Sequence, residues 1–305
     1  MQGETGQHEG TQVGGVLGCA ATEPGGQDTQ AGNPRSFYRA DLMSEQALLY
    51  EKDGAVARLV LNRPEDMNSL NLAMVSLFEN YLPEIAADDG IRVLIVTGNG
   101  RAFCAGADLK EIRQGLDEVQ YGEPDFLDRL LSQVFLPLHN FPKPVIAALN
   151  GITLAGGLEL AMCADLVVAS EDAKIGDAHA NFGVYPGGGG ASVLPRLVPL
   201  NVAKYLLLTG KTLSAEAMCQ YGFVNEVVPA DELQSAAQAL AQHIAGNSPI
   251  AMSRMLSVAN AALDKSRDDA LLHEQFEFRR HLRSWDMQEG LSAFAEKRKP
   301  EFKGR

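Results

Sequence analysis

The chain has 305 residues, 46% hydrophobic and 21% charged, with 26 Lys plus Arg against 39 Asp plus Glu and a formal net charge of −13. That length supports a sizeable core without staples, and the acidic balance (pI near 4.9) excludes a nucleic-acid binder or an anionic membrane surface as partner, since both demand a basic face. No apolar run reaches the roughly 18–20 residues of a membrane span; Cys19, Cys104, Cys163 and Cys219 form no CxxC pair and read as reduced thiols of a cytoplasmic protein, and the six His residues show no metal-ligand spacing, so no metal is expected.

Residues 1–42 hold nine Gly and only seven large apolar residues. Such a segment cannot bury enough surface to offset the cost of ordering it. It reads either as a disordered extension or as sequence upstream of a true start at Met43. It lacks the apolar stretch of a signal peptide and is acidic and Arg-poor, unlike a transit peptide.

Patterned sequence begins at Ala47. Residues 47–51 and 56–61 are strand candidates around Asp53-Gly54, a hairpin signal, and Asn62-Arg63-Pro64 ends the second. Helical spacing of Leu72, Val75, Phe78, Leu82 and Ile85 predicts a helix over 72–87, with Pro83 expected to kink or divide it. Three apolar, β-branched runs follow at 92–97, 144–149 and 165–170, each the mark of a strand buried on both faces. A helix is predicted over 156–164, and strands alternating with helices imply βα units with a largely parallel sheet. Residues 111–135 read as a variable helical stretch carrying Gly115, Gly122 and Pro124.

Beyond Ser192 the pattern is mostly helical: 202–208 and 214–221, a strand over 223–228, then 231–244, 250–263, 268–282 and 290–298. Gly246-Asn247-Ser248-Pro249 is the expected boundary between an α/β core, 43–245, and a helical tail, 246–305.

Chemistry is expected at two small-residue turns that leave central strands: residues 102–110 (AFCAGADLK) and 155–160 (AGGLEL). Free amides at such turns, one at a helix N-terminus, can converge on one oxygen, as stabilising an enolate or tetrahedral oxyanion requires. Each Gly pair alone also fits a purely structural turn. Glu159 adds weight, because an acid among Leu158, Leu160 and Met162 is costly to bury unless paired or protonated. It reads as a helix-start acid favoured by the dipole, or as a carboxyl poised to move protons. The Gly187–Gly190 run after Pro186 fits a tight turn, or glycines that let a ligand approach the backbone. No P-loop, GxSxG elbow or strand-GxGxxG-helix fingerprint is present.

With these residues in view, the chain resembles the enoyl-CoA hydratase/isomerase (crotonase) family. The resemblance rests on Asn62-Arg63-Pro64 with Met67-Asn68-Ser69-Leu70, on Phe103 to Lys110, and on Pro142 to Gly151. It continues through Gly156-Gly157-Leu158-Glu159-Leu160-Ala161, Gly183-Val184-Tyr185-Pro186-Gly187, Leu208-Thr209-Gly210, Gly222-Phe223-Val224-Asn225 and Glu289 to Arg298. It covers about residues 45–305.

The resemblance implies a spiral of ββα units followed by helices that associate in trimers, often paired into hexamers. It implies an acyl-CoA thioester substrate and no cofactor beyond the CoA it carries. By position, the backbone N–H groups of Ala105 and Gly156 would form the oxyanion hole. Residues Ala105, Gly106, Ala107 and Asp108 would lie along the CoA, with Gly187 also at the ligand. Phe294 and Lys297 would reach CoA, commonly that of a neighbouring subunit. Glu159 matches one of two catalytic glutamates of a hydratase. The second Glu is replaced by His179, which would share the proton work or serve only as a pocket wall; Asp177 is a weaker substitute, two residues out of place.

The reading is hydration of a 2-enoyl-CoA. Double-bond isomerisation, hydroxyacyl-CoA dehydration or hydrolysis on the same scaffold is the alternative, because fold does not fix the reaction. A non-catalytic CoA-binding protein is disfavoured by Glu159 beside the double glycine.

Overall fold

Leu48–Asp53 (β1) and Val56–Leu61 (β2) pair antiparallel through a two-residue turn. Gly54 occupies that turn with φ +59°, a conformation other L-residues rarely adopt. The computed structural model describes residues 47–118 and 125–305. The extension expected over 1–42, with Cys19, and the positions Gly122 and Pro124 lie outside the described residues.

From β2 the sheet grows in parallel through Val93–Gly98 (β3), Val145–Leu149 (β5), Leu166–Ser170 (β7) and Glu226–Val228 (β10), in the order β1-β2-β3-β5-β7-β10. The expected apolar runs supply β3, β5 and β7, and both faces are covered. Ile95, Ile146 and Val168 on one face meet Leu233, Ala237 and Ala241 of the helix Leu233–Ala245. Leu94, Ala147 and Val167 belong to the main core on the other face.

Each of β3, β5 and β7 is followed by a short strand of a second, four-stranded sheet, β4-β6-β8-β9: Ala102–Cys104 (β4), Ile152–Leu154 (β6) and Lys174–Gly176 (β8), with Thr212–Ser214 (β9) joining antiparallel to β8 before β10. The chain thus advances as strand, short strand, helix, and repeats: a spiral of ββα turns. These three-residue strands are too short to show a period, and the sequence predicts none of them.

Leu72–Ala87 (α1) forms as predicted, burying Met74, Val75, Phe78, Leu82 and Ile85. Asn71 caps it, its side chain accepting from the Met74 N–H at 2.9 Å. Pro83 sits inside without dividing it. Leu109–Glu118 is α2. Phe126–Leu130 (α3) runs through a π-helical turn, Leu131–Phe135, into Leu136–His139 (α4). Gly156–Ala161 is α5.

Leu194–Leu197 (α6), Leu200–Thr209 (α7), Ala215–Gln220 (α8), Leu233–Ala245 (α9), Pro249–Ala262 (α10), Arg267–His281 (α11) and Trp285–Glu296 (α12) complete the chain. α12 begins five residues before the predicted Gly290, because Ser284 caps it through the Met287 N–H. It stops at Lys297, whose φ of 55° closes the helix. The tail is tied back: buried Asp286 accepts from Ser248 Oγ at 2.6 Å and Lys303 N at 2.8 Å, while Arg92 reaches Ala245 O and Phe302 O. No helix among the described residues is long and apolar enough to cross a membrane.

Candidate active site

Because β4 and β6 run side by side in parallel, the turns that leave them meet backbone to backbone. A Cβ on Gly157 would stand 2.0 Å from Cys104 O, and one on Gly156 3.1 Å from Ala107 N. The double glycine is therefore a packing requirement as well as a ligand approach. Ala155, just before it, adopts φ 49°, ψ −123°, far from ordinary non-glycine backbone. The turn after β4 is held by the segment before α1: Leu70 N donates to Gly106 O, Asp108 N to Leu70 O, and Ala105 N to Met67 O at 3.0 Å.

The last bond corrects the expected oxyanion pair. Ala105 spends its N–H inside the fold. No described residue accepts from the N–H groups of Ala107 or Gly156, which lie next to each other at the cavity wall. Sequence position alone missed this by two residues, because only the register with Met67 and Leu70 decides which amide of the turn is free.

The turns open on a cavity of about 290 Å³. Ala105, Gly106, Ala107, Gly156, Glu159, His179 and Gly187 line it, so these expected site residues are brought together. Leu109, Ile112, Leu130, Leu131 and Phe135 add an apolar wall from α2, α3 and the π-helical turn. Asp108 is not among the lining groups; its carboxylate accepts from Arg63 Nη2 at 3.1 Å and from Lys110 N at 3.0 Å. Phe294 and Lys297 also stand apart from the cavity, and Phe294 is exposed on α12. A larger crevice of about 430 Å³ lies between α10 and α11, lined by Glu274 and by Glu277, which is paired with Arg280 at 2.8 Å.

Glu159 is 3% exposed on the first turn of α5. Its Oε1 accepts from the N–H groups of Gly188, at 2.7 Å, and Gly190, at 3.0 Å. This gives the Gly187–Gly190 run a definite task. A Cβ on Gly188 would stand 2.2 Å from the Phe135 ring and 2.8 Å from Glu159 Oε2, so only glycine lets these amides reach the acid. Burial pushes the Glu159 carboxyl above its ordinary range; the two amides and the nearby charge of His179 pull it back only in part.

His179 opens a 3-10 turn, His179–Phe182, and its ring Nδ1 lies 3.0 Å from Oδ2 of Asp177, which is 1% exposed. Burial alone would lower the imidazole. The bond to Asp177 and the charges of Asp177 and Glu159 outweigh it, leaving His179 raised. The sequence offered one cue to this pair, an acid two residues before a His in an irregular segment.

Two unclaimed amides, a buried carboxyl and an imidazole around an apolar cavity can polarise a carbonyl, stabilise an enolate and move protons at its α- and β-carbons. The family model described as enoyl-CoA hydratase/isomerase matches residues 51–305. The chain is 36% identical over 260 residues to a short-chain-enoyl-CoA hydratase of Clostridium acetobutylicum, covering 85% of this chain and 98% of that protein. It is 35% identical over 261 residues to a crotonyl-CoA hydratase of Syntrophomonas wolfei, covering 85% and 99%. Among solved structures, an enoyl-CoA hydratase from Bacillus anthracis superposes with a TM-score of 0.78 at 36% identity, over 85% of this chain and all of that one. Sequence, ββα spiral and neighbours agree, and the chain belongs to the enoyl-CoA hydratase/isomerase family, with the crotonase fold.

Proposed function

We propose that this enzyme adds water across the conjugated double bond of a 2-enoyl-CoA. The thioester carbonyl oxygen accepts from the N–H groups of Ala107 and Gly156, so negative charge gathers there as water oxygen bonds to the β-carbon. The α-carbon then takes a proton, and Glu159 is the group placed to hold and deliver it. The observation that carries this reading is the buried Glu159 carboxyl, fixed by two glycine amides beside two amides that no described residue claims. The reaction uses no cofactor beyond the CoA of the substrate.

A second reading, another enolate reaction such as double-bond isomerisation, is favoured by one observation: His179 stands where hydratases of the resemblance carry a second Glu. Loss of the conjugated thioester absorbance of crotonyl-CoA and longer 2-enoyl-CoAs tests the choice. Hydration is expected to remove the signal, and Glu159→Gln to slow kcat by at least about 10²-fold. A signal that persists with every chain length sinks the hydratase reading.

The residues 105–107 and Gly187 run along the CoA on this reading, with Asp108 holding its turn through Arg63. Tail residues 246–305 serve association into a homotrimer or hexamer, where Phe294 and Lys297 reach a neighbouring subunit's CoA. Work in the cytoplasm fits the unpaired thiols.

A further inference from the structure

The mechanism above assigns no role to Asp177, a buried carboxylate between β8 and the 3-10 turn. Both its oxygens point at one residue. Oδ2 lies 3.0 Å from His179 Nδ1, and Oδ1 accepts from the His179 backbone N–H at 3.3 Å. With Nδ1 engaged, the imidazole has one nitrogen left, Nε2, and the ring lines the same cavity as Glu159. A Cβ on Gly190 would stand 2.6 Å from Asp177 Oδ2. The loop whose amides hold Glu159 therefore also packs against Asp177, and the two acids are set by one piece of backbone.

We propose that Asp177 is a positioning residue: it fixes His179 in the tautomer that carries its proton on Nδ1, so that Nε2 serves as the base toward water and the His179–Asp177 pair replaces the second carboxylate. This rests on the hydration reading above. In the step, Nε2 takes a proton from water as the water oxygen bonds to the β-carbon, and protonated Glu159 gives its proton to the α-carbon. The imidazolium proton then passes to the Glu159 carboxylate, which resets the pair with one water consumed. Asp177 stays an anion throughout and stabilises the imidazolium, the role a buried carboxylate plays behind a catalytic His. The charged groups facing His179 are Asp177 on its own segment and Glu159 from α5; Asp128 of α3 also lines the cavity.

Two measurements test this. The first is the ring-nitrogen NMR spectrum of ¹⁵N-histidine-labelled full-length protein without substrate, at a pH where His179 is neutral, with His179→Gln used to assign the signal. The Nδ1–H tautomer is expected; an Nε2–H tautomer overturns the proposal, and that result does not depend on any Asp177 variant folding. The second uses Asp177→Asn. Its kcat is expected to fall about 10²–10⁴-fold with little change in KM. The acidic limb of kcat/KM, below which His179 is protonated and idle as a base, should move to lower pH, since the anion that favours imidazolium is gone. A residue that only packs would leave that limb in place, and an unmoved limb overturns the assignment. Because the tautomer is read without substrate, failure to hydrate any enoyl-CoA with the Nδ1–H form present would count against the reaction and not against the pair.

Discussion

Glu159 concentrates the site's cost and its use in one carboxyl. The folded protein holds this proton to higher pH than the ordinary 4.5 because burial penalises the anion. Between those two pH values the folded state binds more proton than the unfolded one, so folding stability falls as pH rises through the window. Glu159→Gln removes that loss while Oε1 can still accept from Gly188 and Gly190. The variant is therefore expected to melt at or above the wild-type temperature at neutral pH, although its turnover has collapsed. Melting curves of both proteins against pH check this; parallel curves would show that Glu159 carries no destabilising charge. At this scale the sequence singled out Glu159 but not its environment. Glu159 was legible because an acid in an apolar stretch is conspicuous, and His179 only by its position in the family resemblance. The free amide of Ala107 and the partner of His179 depend on register and on one side-chain bond, and neither leaves a mark in residue order.

The segment between β2 and α1 shows how one element positions another. Asn68 is fully buried with φ 56°; its Nδ2 donates to Asn99 O at 2.9 Å and Ala102 O at 2.7 Å, and its Oδ1 accepts from Arg63 N at 2.8 Å. It thereby clamps the start of β4, the strand that delivers Ala107. Asn68→Ala orphans these buried partners and is expected to cost about 2–4 kcal/mol of stability. It should also slow turnover by loosening the β4 turn, measured by denaturant melts alongside kcat. Full stability in the Ala variant would refute the clamp. Long elements were readable at this scale: α1 and the central strands carry their period over many residues. The short strands β4, β6, β8 and β9 were not, because three residues in a second sheet are set by tertiary pairing. The start of α12 lies five residues before the expected 290, at the cap that Ser284 supplies.

For the molecule as a whole, the parallel sheet follows from the alternation of buried runs and helices, which the sequence displays openly, whereas the second β of each ββα turn was legible only through the family resemblance. What the sequence does not display is where the spiral stops being self-sufficient. Leu271, Leu272, Phe276 and Phe278 on α11 are each more than half exposed in the single chain, an apolar surface larger than scattered exposure explains. On the trimer proposal, this surface meets a neighbour. Light scattering is expected to give three or six times the 32.8 kDa chain mass, and Phe276→Asp should shift it toward the single-chain value with loss of activity. A monomeric wild type would end the association proposal.

The backbone at Ala155 has a consequence for how the protein breathes. Its φ of 49° strains a residue with a Cβ by about 1–3 kcal/mol. Glycine would relieve that strain, yet it would add conformational freedom to the unfolded chain worth roughly 0.4–1 kcal/mol in the opposite sense. The melting temperature therefore reports only the difference between the two terms and is an indirect reporter of the turn itself. Local opening is the better one, because the methyl that crowds Gly106, 3.1 Å from where a Cβ there would lie, also limits the motion of the amide that follows. Hydrogen exchange at the Glu159 amide, which donates to Ala155 O at 3.0 Å, should quicken in the glycine variant and turnover should drop, in a protein at least as stable as its parent.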